Sequence, residues 1–202
     1  MVDGREFAEA IRRFDEENGR DPNLELNDGV FCPKELLYAQ RLTAWVLVLD
    51  PHASAPLQLA ARSQHLCRWQ IPRRSYEMTR AGYLRWRSDL REFHARKSAE
   101  ILREVGCAEE VIARVERLNL KRDLAKDREC QVLEDALCLV TLQYQLHDLM
   151  AKTEPEKMVG IIQKTWKKMS PTARQHALAL PFDEAGRSLV GRALAEQAEP
   201  GR

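Results

Sequence analysis

The chain has 202 residues, of which 44% are hydrophobic and 31% are charged, and such a chain can bury a core without disulfides or structural metals. Its 32 basic and 31 acidic residues leave a formal charge of +1, so the total charge indicates neither a nucleic-acid-binding nor a membrane-surface protein. The charged N-terminus lacks the apolar segment of a signal peptide, and the longest apolar run, residues 44–49, is too short to cross a bilayer. We expect a soluble, cytoplasmic protein with no membrane partner.

The five cysteines are an odd number and include no CxxC pair. This spacing favours neither a zinc ribbon nor a disulfide framework. In a reducing cytoplasm we expect all five to be free thiols.

Helical periodicity recurs along almost the whole chain, and the alternation that is typical of strands is nearly absent. In the first half, Asp3, Ser54 and Thr79 are good N-cap residues. The periodic segments predict helices over residues 3–18, 33–49, 56–69, 79–105 and 109–118. Residues 21–32 and 73–78 are rich in residues that break helices, and they are predicted to be loops.

The second half begins with a charged connector over residues 119–128. Further helices are predicted over residues 130–150, 155–169, 172–180 and 183–197. The resulting fold class is all-α, a helical bundle of about eight or nine helices with short connections. We expect residues 1–202 to form a single domain, with the core at about 33–170 and a C-terminal helical appendage at 171–202.

Positive charge is concentrated in one part of the chain. Residues 62–97 contain ten basic and three acidic side chains. Arginines gathered on one face of a neutral protein are suited to binding a phosphorylated small molecule. The same pattern is also typical of a solvated helix face whose arginines pair with acidic helices. The sequence leaves both interpretations open.

Two histidines and two carboxylates occur in helical segments from which a metal site could form. His65 ends an apolar segment, and His94 lies on a later helix. Glu134 and Asp135 are adjacent inside an apolar helix, where a carboxylate is costly to bury unless it is paired or binds a metal. Imidazole and carboxylate groups from separate helices are typical ligands of divalent transition metals, so we predict a metal site at these four residues. In the alternative interpretation, the histidines are core or cap residues and a carboxylate pairs with an arginine.

Five segments of the chain resemble the domain-of-unknown-function 4202 family. They are PKELLYAQR (33–41), QHLCRWQIPR (64–73), AGYLRWR (81–87), LEDALCLV (133–140) and KTWKKMS (164–170). The resemblance spans nearly the whole chain. It implies no activity, because that family has none that can be carried over.

A second and more distant resemblance is to the HD superfamily of metal-dependent phosphohydrolases. His65 lies where that superfamily has its histidine–aspartate helix, residues 94–106 resemble its middle helix, and Asp135 resembles its late aspartate. This chain departs from the pattern at Gln40, where the first histidine would fall, and at Leu66, where an aspartate would follow the second. The resemblance implies an HD-like fold with one of two outcomes: a divalent metal held by a changed set of ligands that includes Glu134, or a fold that has kept its shape and lost the metal.

Basic residues near the predicted metal site are the candidates for binding a phosphate group. The main candidates are Arg68, Arg73, Arg74 and Lys97. The first three follow His65 in the sequence, and the last lies one helical turn after His94. Lys121 and Arg122, in the connector, are weaker candidates. The histidine–aspartate dipeptide at 147–148 comes after the late aspartate and is predicted to be exposed.

The sequence leaves three kinds of function open. The first is metal-dependent hydrolysis of a phosphorylated small molecule or nucleotide. The second is non-catalytic binding of an anionic ligand, a nucleotide or RNA, by the arginines and the aromatic side chains among them. The third is a helical interaction protein without a small ligand. Nucleic acid is the less favoured partner because the chain is close to neutral.

Overall fold

Helices contain most of the residues that the computed structural model describes, which are residues 2–122 and 126–198. In this part of the chain the α-helices are α1 (Gly4–Asn18), α2 (Lys34–Leu49), α3 (Ala55–Ser63), α4 (Arg80–Val105), α5 (Glu109–Asn119), α6 (Arg128–Val140), α7 (Leu146–Met150), α8 (Pro155–Lys168), α9 (Pro171–Leu178) and α10 (Glu184–Ala198). The all-α fold class is confirmed. The described residues form ten helices rather than eight or nine, because a π-helical turn at Thr141–Gln145 separates α6 from α7.

Side-chain caps begin several helices at the predicted residues. The Asp3 carboxylate accepts a backbone hydrogen bond in the first turn of α1, and Glu6 completes the capping box. Ser54 and Thr79 cap α3 and α4 by accepting hydrogen bonds from N–H groups three residues later. Helix α4 ends at Gly106, whose φ of 94° is accessible to glycine without strain. The local chemistry of these residues therefore sets the boundaries close to those predicted.

The helix predicted over residues 56–69 is shorter than expected. Helix α3 ends at Ser63, and the chain then turns into a short 3₁₀ helix at Arg68–Gln70. Cys67 lies in this turn with φ 55° and ψ 30°, a left-handed conformation that a continuous α-helix does not allow. Leu66 and Cys67 are both buried, so the apolar pattern runs through the turn and does not indicate the break.

The prediction of a loop over residues 21–32 is wrong in its second half, which forms an antiparallel two-stranded ribbon. The strands are β1 (Leu24–Asn27) and β2 (Val30–Pro33). Asp28 and Gly29 make the turn with φ of 50° and 82°, the left-handed pair that a type I′ hairpin turn requires. The Asp-Gly dipeptide between two apolar segments is the sequence signal for this hairpin.

The ribbon turns its polar side chains towards α2 and its apolar side chains towards solvent. Arg41 of α2 donates hydrogen bonds to Glu25 and Asn27 on the inner face. Leu24 and Leu26 alternate with those residues along β1 and are exposed. A sheet with one solvated face normally buries its apolar side. This ribbon does the reverse, so its apolar surface faces solvent and does not contribute to the core.

The chain divides into two compact units, Met1–Leu133 and Glu134–Arg202. In the first unit, α1 to α5 pack around fully buried side chains such as Phe14 and Leu102. In the second unit, α8 and α10 pack together around a core that includes Met158. Each unit therefore has an apolar core of its own.

The predicted organisation as one domain over residues 1–202, with a core at about 33–170 and an appendage at 171–202, stays a prediction. Residues 199–202 of that appendage and residues 123–125 of the predicted connector lie outside the described residues. Within the part of the chain that the structure describes, no helix is both long enough and apolar enough to cross a membrane.

Candidate functional site: a basic cleft beside paired histidines

A cleft of about 690 Å³ opens in the first unit at the N-terminal end of α2. Its charged lining residues are Lys34, Glu35, Arg68, Arg73 and Arg74. The others are Pro22, Asn23, Leu24, Trp69, Ile71, Pro72 and Trp86. The volume lies in the range of small-molecule sites, about 300–1,000 Å³. Three of the four main candidates for phosphate binding thus line one cleft, together with a fourth cation and one carboxylate.

Asp21 fixes the wall of the cleft that α2 and the ribbon form. Its buried carboxylate accepts hydrogen bonds from the backbone N–H groups of Glu35 (3.0 Å) and Asn23 (2.9 Å). Pro33, which precedes α2, makes no side-chain cap, so Asp21 provides the acceptor and the negative charge that a helix N-terminus favours. The N–H of Lys34 also donates to the carbonyl of Asn23 at 2.9 Å. These contacts hold the first residues of α2 at the cleft.

The segment between α3 and α4 forms the opposite wall and is held by two side chains. The indole N–H of Trp86 donates to the carbonyl of Ile71 at 2.9 Å. The guanidinium of Arg73 donates to three carbonyls in residues 76–79 at 2.7–3.2 Å. Arg73 therefore fixes this loop. Its N–H groups are largely occupied by these carbonyls, so it has fewer donors for a phosphate than its predicted role in phosphate binding requires.

Lys34 and Arg74 give the cleft positive charge that no ion pair within residues 2–122 and 126–198 neutralises. In the described part of the chain, neither side chain makes a hydrogen bond or an ion pair. Arg68 is shared, because one of its nitrogens lies 3.4 Å from Oε1 of Glu35 and its guanidinium lies 5.0 Å from the ring centroid of Trp86. Like charges in one cleft repel one another, so the arrangement favours an anionic occupant.

The remaining basic candidates are not among the residues that line the cleft. The ammonium group of Lys97 lies 3.9 Å from a carboxylate oxygen of Glu100 on α4. Lys121 and Arg122 follow α5. The histidine–aspartate dipeptide at 147–148 is exposed, as predicted.

Glu35 and His65 form a carboxylate–histidine pair at the cleft. His65 Nδ1 lies 3.2 Å from Oε2 of Glu35, and the imidazole stacks on the ring of Tyr38 with 4.0 Å between centroids. Burial lowers the pKa of His65, and this effect outweighs the hydrogen bond with Glu35, which raises it. Burial raises the pKa of Glu35, but the hydrogen bond with His65 and the charge of Arg68 act against it and leave that pKa lowered. At neutral pH the pair is therefore a carboxylate that holds a neutral imidazole through Nδ1.

His94, on α4, is buried close to this pair. Its Nδ1 donates to the carbonyl of Leu66 at 2.8 Å, so the lone pair is on Nε2, which is buried and has no hydrogen-bond partner in the described residues. Burial, with the neighbouring His65, lowers the pKa of His94 to about 3. The centroids of the His65 and His94 rings are 5.8 Å apart. In both neutral imidazoles Nδ1 is hydrogen-bonded to an oxygen atom. Histidines that bind a metal through Nε2 are oriented in the same way.

A cluster of buried polar side chains lies near His94. The amide nitrogen of Asn119 donates to the hydroxyl oxygens of Ser63 (3.1 Å) and Ser98 (3.3 Å). The side-chain oxygens of Asn119 and Gln64 are, like Nε2 of His94, buried acceptors without a donor in the described residues. Such atoms are normally satisfied by water or a ligand, so this part of the first unit has unused capacity to bind a proton donor or a cation.

Glu134 and Asp135 lie in the second unit, where both are buried. The ammonium group of Lys168 is 3.3 Å from Oε1 of Glu134, and the N–H of Ser170 donates to Oδ1 of Asp135 at 2.8 Å. Among residues 2–122 and 126–198, no group of three or more histidine, cysteine, aspartate or glutamate side chains is arranged to hold a metal ion. The metal site of His65, His94, Glu134 and Asp135 stays a prediction.

Cys67 does not provide the cleft with a nucleophile. Burial, together with the neighbouring Glu17, raises the pKa of its thiol to about 12, and its sulfur lies 3.5 Å from Oε2 of Glu17. The thiolate is the reactive form of cysteine, so the raised pKa makes Cys67 a poor nucleophile at neutral pH.

The sequence pattern did not single out Lys34 or Glu35. Glu35 shares the buried face of α2 with Tyr38 and Leu42, which follow it by three and seven residues. A carboxylate on the apolar face of a helix was therefore the available signal, of the same kind as that at Asp135. No comparable signal marks Lys34, because a lysine in the first turn of a helix is usually exposed.

The fold and the cleft define a helical protein with a site suited to an anion, and the comparison with known families identifies its family. The family model described as "Domain of unknown function (DUF4202)" matches residues 8–190. The chain belongs to this family. No curated protein and no solved structure matches the chain significantly.

Proposed function

We propose that this protein binds a phosphorylated small molecule in the cleft at the start of α2. The observation that carries the proposal is that Lys34 and Arg74 line the cleft and form no ion pair with any side chain that the structure describes. A guanidinium binds phosphate through paired N–H···O bonds, and a lysine adds a point charge. Trp69 and the apolar lining residues leave room for the rest of the ligand. The candidate ligands include nucleotides.

Replacing Lys34 or Arg74 by alanine should weaken binding of the phosphate. Each substitution removes a hydrogen bond to a charged group, which contributes roughly 1.5–3 kcal/mol. Each single variant should therefore bind about tenfold more weakly or worse, and the double variant about 100-fold. Isothermal titration calorimetry with AMP and with inorganic phosphate, at low ionic strength, measures these affinities.

Arg5→Ala is the matched control for these variants. Arg5 is an exposed arginine of α1, its side chain has no hydrogen bond in the described residues, and it does not line the cleft. Its variant should bind AMP like the wild type, and adenosine should bind the wild type much more weakly than AMP. The proposal is wrong if the double variant binds both probes as the wild type does, or if the wild type binds neither at millimolar concentration.

A second candidate function is metal-dependent hydrolysis of the bound phosphate ester. The specific observation in its favour is the buried Nε2 of His94, which has no hydrogen-bond partner among the described residues and lies on a ring next to that of His65. Neutral imidazoles oriented through Nδ1 fit a divalent transition metal. When bound, such a metal lowers the pKa of a coordinated water and provides hydroxide near neutral pH. The HD-like relationship, and the addition of Glu134 or Asp135 as ligands, belong to this same proposal.

If the two histidines bind a metal, the metal content should depend on both of them. Protein purified without chelator should hold near-stoichiometric transition metal by elemental analysis, and His65→Ala and His94→Ala should lose it. His52→Ala, at an exposed histidine, should retain it. Loss of metal in Asp135→Asn would assign Asp135 to the site, and retention would leave the histidines as its ligands. A wild type that holds no metal, and takes up none on reconstitution, would exclude this candidate.

Two further interpretations of the sequence, an RNA ligand and a helical interaction protein, stay predictions. A salt-sensitive affinity for RNA would favour the first. An oligomer in solution, without metal or small ligand, would favour the second.

A further inference from the structure

The ribbon carries an apolar surface that begins at the cleft. Leu24 lines the cleft, and Leu26, two residues later, lies on the same outer face of β1. Phe31 of β2 lies directly opposite Leu26 and therefore on that face as well. Each leucine is 58% exposed and the phenylalanine is 68% exposed. Within the two described strands, no charged side chain lies on this face.

A ribbon with one face in water normally exposes its polar side chains and buries its apolar ones. Here the apolar side chains are the exposed ones. On the ribbon's inner face, which also carries Val30 and Cys32, Glu25 and Asn27 accept hydrogen bonds from Arg41 of α2. A shift of one residue in either strand would exchange the two faces, so the contacts with Arg41 hold the apolar face outward. A two-stranded ribbon is marginally stable on its own. An apolar face kept exposed on such an element indicates an occupant that covers it.

We propose that the ligand of the cleft is a phosphate monoester with an apolar chain, and that this chain lies along Leu24, Leu26 and Phe31. The inference rests on the proposed phosphate-binding function and names the class of ligand. Lys34 follows directly after Pro33, which pairs with Leu24, so a cation for the phosphate adjoins the start of the apolar face. The surface is basic at the cleft and uncharged along the ribbon, which matches an amphipathic ligand. A nucleotide in the cleft would leave the ribbon uncovered.

A series of alkyl phosphates tests the two parts of this ligand separately. The probes are ethyl, butyl, hexyl and octyl phosphate, each below its micelle concentration, with affinities measured by isothermal titration calorimetry. Complete burial of one methylene corresponds to about fourfold in affinity. Because the ribbon covers one side of the chain and leaves the other in water, we expect affinity to rise roughly twofold for each added methylene.

The double variant Leu26→Ser/Phe31→Ser should abolish the rise with chain length and leave the affinity for ethyl phosphate unchanged. Val30→Ser is the matched control, because Val30 is 63% exposed but lies opposite Asn27, on the other face of the ribbon. This control should keep the full dependence on chain length. All of the substituted side chains are exposed, so the variants should fold, and circular dichroism checks this.

The outcomes distinguish this inference from the proposal on which it rests. If ethyl phosphate binds but affinity does not rise with chain length, or if the double variant keeps the rise, the inference is overturned and phosphate binding stands. Tighter binding of AMP than of octyl phosphate would also overturn it, because the cleft would then select a planar heterocycle. If no member of the series binds the wild type while AMP or inorganic phosphate does, the inference fails and phosphate binding stands; if AMP and inorganic phosphate do not bind either, both fail.

Discussion

Lowering the pH from 7 to 5 should reduce the free energy of unfolding by about 2 kcal/mol through His94 alone. Burial, with the neighbouring His65, lowers the pKa of His94 from 6.5 to about 3. Between these values the unfolded chain binds a proton that the native chain does not, so acid favours unfolding. The stabilisation is fully present above pH 6.5 and is lost progressively as the pH falls towards 3. His65 contributes in the same direction, because burial lowers its pKa too.

His94→Asn isolates this effect. An asparagine amide can donate to the carbonyl of Leu66, as Nδ1 of His94 does, but it does not titrate. Urea unfolding at both pH values should give a pH effect about 2 kcal/mol smaller in the variant, which will be less stable throughout because of the cavity it leaves. His52→Asn, at an exposed histidine, should retain the pH dependence of the wild type. An undiminished pH effect in His94→Asn would show that another group is responsible.

Gly82→Ala should destabilise the protein by about 2 kcal/mol, although alanine is the better helix former. Gly82 lies in the first turn of α4, where its N–H donates to the hydroxyl of Thr79 at 3.1 Å. A Cβ atom there would lie 2.2 Å from the carbonyl oxygen of Glu77, so the backbone would have to move. The same carbonyl accepts a hydrogen bond from Arg73 at 2.7 Å. The substitution should therefore also disturb one wall of the cleft.

Gly160→Ala is the control with the opposite expected sign. Gly160 lies inside α8, and no atom would be within 4 Å of an added Cβ. Alanine should stabilise this helix by up to about 1 kcal/mol. Thermal unfolding of both variants beside the wild type compares the two effects. A Gly82→Ala protein as stable as the wild type would mean that the backbone at Glu77 moves at little cost, contrary to the prediction.

The helices were predictable because their boundaries depend on local chemistry. The caps at Asp3 and Thr79 and the left-handed Gly106 act within one turn of the helices that they begin or end. The break at Cys67 has a different origin, since its N–H donates to the side chain of Asn18, on α1, at 3.4 Å. A contact between residues so far apart in sequence leaves no periodic signal, and the predicted helix therefore ran past its end.

Only the part of the candidate site that depends on local composition was predictable from the sequence. A local excess of arginine survives in the sequence whatever the fold, and it led to Arg68 and Arg74. The pairing of Glu35 with His65 joins residues 30 positions apart in different elements, so it depends on how α2 packs against the turn after α3. For the same reason the sequence did not indicate Glu35 as the carboxylate next to His65; its assignment of Glu134 and Asp135, two buried acids of the second unit, to the metal site stays a prediction.

The burial of the thiols makes this protein suitable for labelling at one position. Four of the five cysteines are buried, whereas Cys32, in β2, is partly exposed. The raised pKa of Cys67, about 12, keeps that thiol protonated, so a maleimide reagent at neutral pH reacts with Cys32 first. A fluorophore there is attached to the ribbon itself, on the face that Cys32 shares with Glu25. Its emission would follow the polarity around this inner face of the ribbon during a titration, in a chain without any substitution.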